Sequence, residues 1–393
     1  MVKRVVIKFG GASLNTSERI KKAAKMVVNS ENCEKIVVVS AMGETTDFLV
    51  ETMTQIGYTP QDYAEIISMG ERTSARIFCS ALKSLGAKSI FLDPALENFP
   101  IITNSNFIDA IPDVEQTKIL ANKYLTPILE EEMVPVIGGF IGRDKEGRIT
   151  TLGRGGSDTT AVLLAASLEA EEIILVKDSN GICSADPSII PNVRVLKELD
   201  IYEMFALSYG GAQVIKAEAL RYKLPGQKLA VVDFSSGNLA NISTEITGDF
   251  DLTTAKIRQI DDLAAVTVVG KINAHVLCQF FSEINDEPFF GISTGQNSVT
   301  VFGKFRNVEE IVTRLHNLDC FKALSCRTDI GLIEVLHPFF IDSPGWVAKI
   351  TSSLAVEGIN IIEVTTGKAT VNLFINVEDL EEAYMVVRDL FEV

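Results

Sequence analysis

The segment of this 393-residue chain richest in chemistry is Thr150-Thr-Leu-Gly-Arg-Gly-Gly-Ser-Asp-Thr-Thr160, which sets Gly153, Arg154, Gly155 and Gly156 ahead of an apolar stretch at 161–168. A Ser or Asp there caps a helix, and the free N–H groups at a helix start make an anion site. Arg154 can hold a carboxylate through two parallel hydrogen bonds, which a lysine cannot do. Three glycines in four positions with a charge are costly for a plain turn, so the segment reads as functional. A second candidate is Lys8-Phe-Gly-Gly-Ala-Ser13, where paired glycines let the backbone approach a phosphate and a lysine supplies charge. An ordinary strand-to-helix turn, capped at Thr16 or Ser17, competes evenly with that reading. The chain has neither G-x-x-x-x-G-K-[ST] nor G-x-G-x-x-G. Taken alone, Glu71 and Arg72 suggest a solvated ion pair on a helix. Asp178, after an apolar strand and shortly before Asp186-Pro187, can contact ribose or magnesium, but by itself reads first as an Asx-turn. His275, His316 and His337 all fall in the last third, so chemistry in the first two thirds proceeds without imidazole.

The elements that must position these residues alternate. Apolar runs at 5–8, 36–40, 89–92, 134–137, 173–177 and 229–233 read as strands, and 63–85, 113–132 and 161–168 as helices. This order predicts an α/β sandwich around a mainly parallel sheet covered on both faces. Residues 235–254 lose periodicity and gather turn formers, which places a domain boundary there. Beyond it, strand, helix, strand, strand, helix occurs twice. Ser293-Thr-Gly295 aligns with Thr365-Thr-Gly367, Val299 and Phe302 with Val371 and Phe374, and Asn307–Glu309 with Asn376–Glu378.

The composition narrows the function classes. Apolar residues make up 47% and charged residues 22%, near the globular norm, and no apolar run approaches a membrane span. A formal charge of −16 opposes a nucleic-acid partner. Six cysteines without a C-x-x-C pair suggest neither disulfides nor zinc and fit a reducing cytoplasm.

Taken together, Lys8–Ser13, Ser40-Ala-Met-Gly-Glu-Thr-Thr46-Asp47, Ser68-Met-Gly-Glu71, Gly139-Phe-Ile-Gly142, Thr150–Asp158 and Asp178 through Pro187 resemble the amino-acid kinase superfamily, and within it the aspartokinases. The duplicated tail resembles paired ACT domains. The resemblance implies a three-layer αβα sandwich over 1–245 followed by two α+β ferredoxin-like ACT domains at 254–328 and 329–393. It also implies transfer of phosphate from ATP, with Mg²⁺, to the side-chain carboxylate of L-aspartate, the first step towards lysine, threonine and methionine. By position, Lys8 would screen the transferring phosphoryl group, Gly10, Gly11 and Ser13 would approach it, and Asp158 would hold Lys8. Glu71 would take the amino group, Arg154 the α-carboxylate, and Ser40, Thr46 and Ser157 the rest of the substrate. Lys177, Asp178, Cys183 and Gln213 fall where the family binds ATP. Asp342, Ser343, Gly345, Thr365 and Thr366 match an effector site for an amino acid such as lysine or threonine. No dedicated protein metal site is expected. A homodimer or higher homo-oligomer through the ACT domains is.

The chain departs from the family pattern where Gln213 replaces a lysine, Ser188 an arginine and Cys183 an aromatic residue; Lys177 or Lys216 is expected to restore charge. The first ACT copy has only the short Lys271-Ile-Asn-Ala-His275 loop, so its effector site is altered or absent. Alternative readings are another amino-acid or nucleotide kinase, or a kinase-fold amino-acid sensor with little or no catalysis.

Overall fold

The computed structural model describes residues 3–30, 33–153, 155–212, 214–250, 255–284, 287–337, 340, 344–367 and 369–391. It divides into two compact units, 1–250 and 251–393.

The first unit is built on an eight-stranded sheet in the order Glu198–Asp200, Ile242–Thr247, Lys228–Asp233, Glu172–Lys177, Arg4–Phe9, Glu34–Val39, Val134–Gly138, Ser89–Leu92. The last six of these run parallel to one another. Their apolar residues are almost wholly buried, as expected when helices cover both faces. All six were legible as apolar runs, to within two residues at each end. Ile242–Thr247 was not: it lies within the stretch read as aperiodic and pairs antiparallel to Lys228–Asp233. It has only two apolar side chains. A fully buried Thr244 anchors it instead, its hydroxyl donating to the Leu196 carbonyl at 2.6 Å and accepting from the Ile182 N–H at 3.0 Å.

Two helices carry Glu71, Ser157 and Asp158. Pro60–Ser84 begins three residues before the expected 63–85, because the Thr59 hydroxyl accepts from the Asp62 N–H and Pro60 occupies the first turn. Gly70, in its interior, lowers helix propensity by about 1 kcal/mol relative to alanine. A Cβ there would stand 2.9 Å from the Ala41 Cβ, so the glycine lets the helix press against the 40–46 loop. The second helix, Gly156–Ser167, is buried along its whole length. It starts five residues before the expected 161. Its cap is not the expected Ser or Asp but Gly155, at φ 73, leaving Asp158 inside the first turn.

The second unit holds a six-stranded antiparallel sheet, ordered Phe289–Thr294, Ser298–Gly303, Lys256–Val269, Ala323–Leu336, Thr370–Asn376, Ile361–Thr366. Both inner strands have 14 residues and serve both copies of the repeat. Residues 265–269 pair with 323–327 beside the first copy, and 256–260 pair with 332–336 beside the second. Each copy thus gains a four-stranded ferredoxin-like sheet, and the 328/329 junction lies within a continuous strand. The two halves meet through their matched aromatics: Phe302 and Phe374 stack at 4.0 Å.

Candidate active site

Parallel strands present their C-terminal ends at one edge of the first unit's sheet, the edge where open α/β sheets gather ligands. Lys8 is next to last in Arg4–Phe9 and buried, with Nζ 2.7 Å from Asp158 Oδ1. The negative charge suits the first turn of Gly156–Ser167, where the helix dipole favours it. Lys177 ends the neighbouring strand, with Nζ 3.7 Å from Asp158 Oδ2, and the Lys216 backbone N–H donates to that oxygen at 3.3 Å. Burial pushes the Asp158 carboxyl up, but the Lys177 and Lys8 charges and the Lys216 N–H outweigh it and hold the group below the usual carboxylate range. Burial, with Lys8 nearby, lowers Lys177 to about 8 against the pull of Asp158.

The glycine turn after Lys8 is shaped by close approach. A Cβ on Gly11 would lie 2.7 Å from the Ala41 carbonyl oxygen, and the Gly43 N–H donates to the Gly11 carbonyl at 3.1 Å. This stitches the turn to the loop carrying Ser40 and Thr46. The Ser13 hydroxyl behind it is buried with no hydrogen-bond partner among the described residues.

Glu71 projects from the buried face of Pro60–Ser84 and is 4% exposed. The Thr46 hydroxyl donates to its Oε1 at 3.3 Å, while Oε2 has no hydrogen-bond partner among the described residues. Burial raises its pKa to about 7, opposed by the Glu71 and Ala41 N–H groups and by Thr46. The solvated pair with Arg72 does not form: Arg72 turns away to Asp93, at 3.0 Å. Gly138 and Gly139 form the wall between Glu71 and Ser157. A Cβ on Gly138 would meet the Glu71 Cβ at 3.2 Å, and one on Gly139 would meet the Ser157 Cβ at 2.7 Å. Gly138 was not singled out in sequence, although the Gly-Gly pair at a strand end was a usable signal.

The structure therefore gathers Lys8, Gly10, Gly11, Ser13, Ser40, Thr46, Glu71, Ser157, Asp158 and Lys177 along linked loops at one sheet edge. Asp178 leaves this group, its carboxylate pairing with Arg19. Cys183 sits half-buried in the short strand Ile182–Cys183. Asp186 closes an Asx-turn, accepting from the Ser188 N–H at 2.8 Å and its hydroxyl at 2.7 Å. Arg154 and Gln213 lie outside the described residues, as do Asp342 and Ser343. In the second unit Gly345, at φ 94, opens the helix Trp346–Val356, and Thr365 and Thr366 end the edge strand Ile361–Thr366. Among the described residues no three His, Cys, Asp or Glu side chains gather to hold a metal ion, and no helix is long and apolar enough to cross a membrane.

Residues 3–233 match the model of the amino acid kinase family. The chain is 30% identical to an aspartokinase of Rickettsia felis over 99% of each protein. Among solved structures it is similar to an aspartate kinase from Synechocystis, with TM-score 0.74 and 27% identity over 99% of this chain and 69% of that one. Its fold is also like that of E. coli aspartokinase III in complex with aspartate and ADP, with TM-score 0.57 and 21% identity over 98% and 99% of the two chains.

Proposed function

We propose, from the premise that the chain belongs to the amino acid kinase family and within it to the aspartokinases, that it transfers the γ-phosphoryl group of ATP to the side-chain carboxylate of L-aspartate. One carboxylate oxygen bonds to the γ-phosphorus as the bond to the bridging oxygen breaks, and ADP leaves with the electron pair. The acceptor is already an anion at neutral pH, so no proton must be removed. A site without histidine suits that chemistry. What the reaction requires is positioning of two anions that repel each other, and screening of charge on the phosphate oxygens.

The observation that carries this reading is the buried Lys8 ammonium, fixed on Asp158 beside the Gly10–Gly11 turn. In this reading Lys8 screens the transferring group and the backbone from Gly10 to Ser13 lines its path. Glu71 receives the aspartate amino group, and its Oε2, without a partner among the described residues, supplies the acceptor. Arg154 takes the α-carboxylate, with Ser40, Thr46 and Ser157 completing the substrate site. The nucleotide lies towards Lys177, Cys183 and Gln213, and Asp178 acts there only if its pair with Arg19 opens. Magnesium, held chiefly by the nucleotide phosphates, would neutralise charge developing on the transferring group.

The second unit acts as an amino-acid sensor, with lysine or threonine as candidate effectors, and joins copies of the chain into a homo-oligomer. Its edge strand Phe289–Thr294 has Phe289 51% and Ile292 38% exposed, a surface a second copy would cover. We place this reaction in the cytoplasm, at the head of the route to lysine, threonine and methionine. Purified protein with Mg-ATP and aspartate, glutamate or UMP, trapped with hydroxylamine, tests the activity. Aspartyl hydroxamate is the expected product. Its absence with and without added lysine or threonine overturns the assignment.

A further inference from the structure

Asp158 is shared between two lysines that the sequence sets 169 positions apart. Arg4–Phe9 and Glu172–Lys177 are parallel neighbours with Phe9 opposite Val176, and the Gly10 N–H donates to the Val176 carbonyl at 3.3 Å. Lys177, the next residue, therefore flanks the glycine turn directly. Lys8 takes Asp158 Oδ1 at 2.7 Å, while Lys177 stands 3.7 Å from Oδ2. The second contact is loose, and the Lys177 side chain is 18% exposed against 8% for Lys8. One carboxylate balances one ammonium. Among the described residues no other carboxylate forms an ion pair with either lysine, so the cluster carries an excess positive charge at the mouth of the turn.

The other charges around it are committed elsewhere. Asp233, opposite Lys177 on the next strand, accepts hydrogen bonds from the Ser235 N–H and hydroxyl, and Asp178 pairs with Arg19. Lys216, the rival for this role, donates its ammonium to the Leu152 carbonyl at 3.0 Å.

We propose that Lys177 is a second phosphate-screening cation of this site, held on the oxygen of Asp158 that Lys8 leaves open. This rests on reading the site as one of phosphoryl transfer. Its chemical partner is the polyphosphate of a nucleotide. Asp158 then acts as a positioning residue that fixes two ammonium groups at a set separation.

Calorimetric titration of the whole protein with Mg-ADP tests this without requiring turnover. Removing a charge-assisted contact in Lys177→Met should weaken ADP binding about 10- to 100-fold, with the aspartate KM within about twofold of wild type. Because Lys177 titrates near 8 in the empty site, wild-type affinity should fall about tenfold between pH 7 and 9 as the unbound ammonium loses its proton. Lys177→Arg should restore affinity at pH 7 and flatten that dependence, which also controls for folding. If Lys177→Met binds ADP within twofold of wild type with the same pH profile, the proposal falls while the kinase reading stands. If wild type binds no Mg-ADP, both fall.

Discussion

Glu71 gives the most exacting prediction. Its carboxyl is buried, has no partner on Oε2 among the described residues and is raised to about 7. A shift from the ordinary 4.5 to about 7, at 1.36 kcal/mol per unit, is about 3 kcal/mol. The folded empty site binds more protons than the unfolded chain between those two values, so stability falls as pH rises through that window. At pH 8 the ionised Glu71 therefore costs about 3 kcal/mol, which Glu71→Gln should recover as a higher Tm than wild type at pH 8, with little difference at pH 4. Aspartate binding should show the opposite preference, since an ammonium group needs the carboxylate ionised. With a competent fraction of about one tenth at pH 6 and nine tenths at pH 8, the aspartate KM should drop about tenfold across that range. Initial rates by hydroxamate trapping at saturating Mg-ATP measure this, and Glu71→Gln should give a high KM with no such slope. An aspartate KM flat from pH 6 to 8, with Glu71→Gln no more stable than wild type at pH 8, would refute the argument.

Other substitutions probe the same edge of the sheet. Lys8→Ala should lower kcat about 10²- to 10³-fold while far-UV circular dichroism stays that of wild type, since Lys177 remains to pair with Asp158. Gly139→Ala places a methyl 2.7 Å from the Ser157 Cβ; overpacking of this kind should lower stability by about 1–3 kcal/mol and raise the aspartate KM more than the ATP KM.

The legible parts of this molecule were local. Apolar runs marked the six parallel strands, and short motifs marked Lys8, Glu71 and Asp158, because each lies in a few residues whose types are unusual together. What escaped depends on distant register. Lys177 meets Asp158 only because its strand lies beside Arg4–Phe9, and Arg19 takes Asp178 across 159 positions. The sharing of two long strands by both repeat copies was likewise hidden. The repeat pattern reported two similar units but not that each completes the other, since bulges between Ile260 and Ala265 re-register the central pair. The strand Ile242–Thr247 was missed because a buried threonine, rather than an apolar run, fixes it.

The two shifted groups bound the working pH from opposite sides. Glu71 must be ionised to hold an ammonium, and it gains its charge as pH rises through about 7. Lys177 must be protonated to screen phosphate, and it loses its charge as pH rises through about 8. Each is shifted chiefly by burial: among the described residues Glu71 has no cation paired with it, and Lys177 shares its one anion, Asp158, with Lys8. The apparent second-order efficiency for both substrates together should thus peak between about pH 7 and 8 and fall on each side. In Lys177→Arg the alkaline limb should vanish while the acid limb stays; in Glu71→Gln the acid limb should vanish while the alkaline limb stays. A profile whose two limbs both survive in either variant would show that the buried charges at this sheet edge serve the fold rather than the substrates.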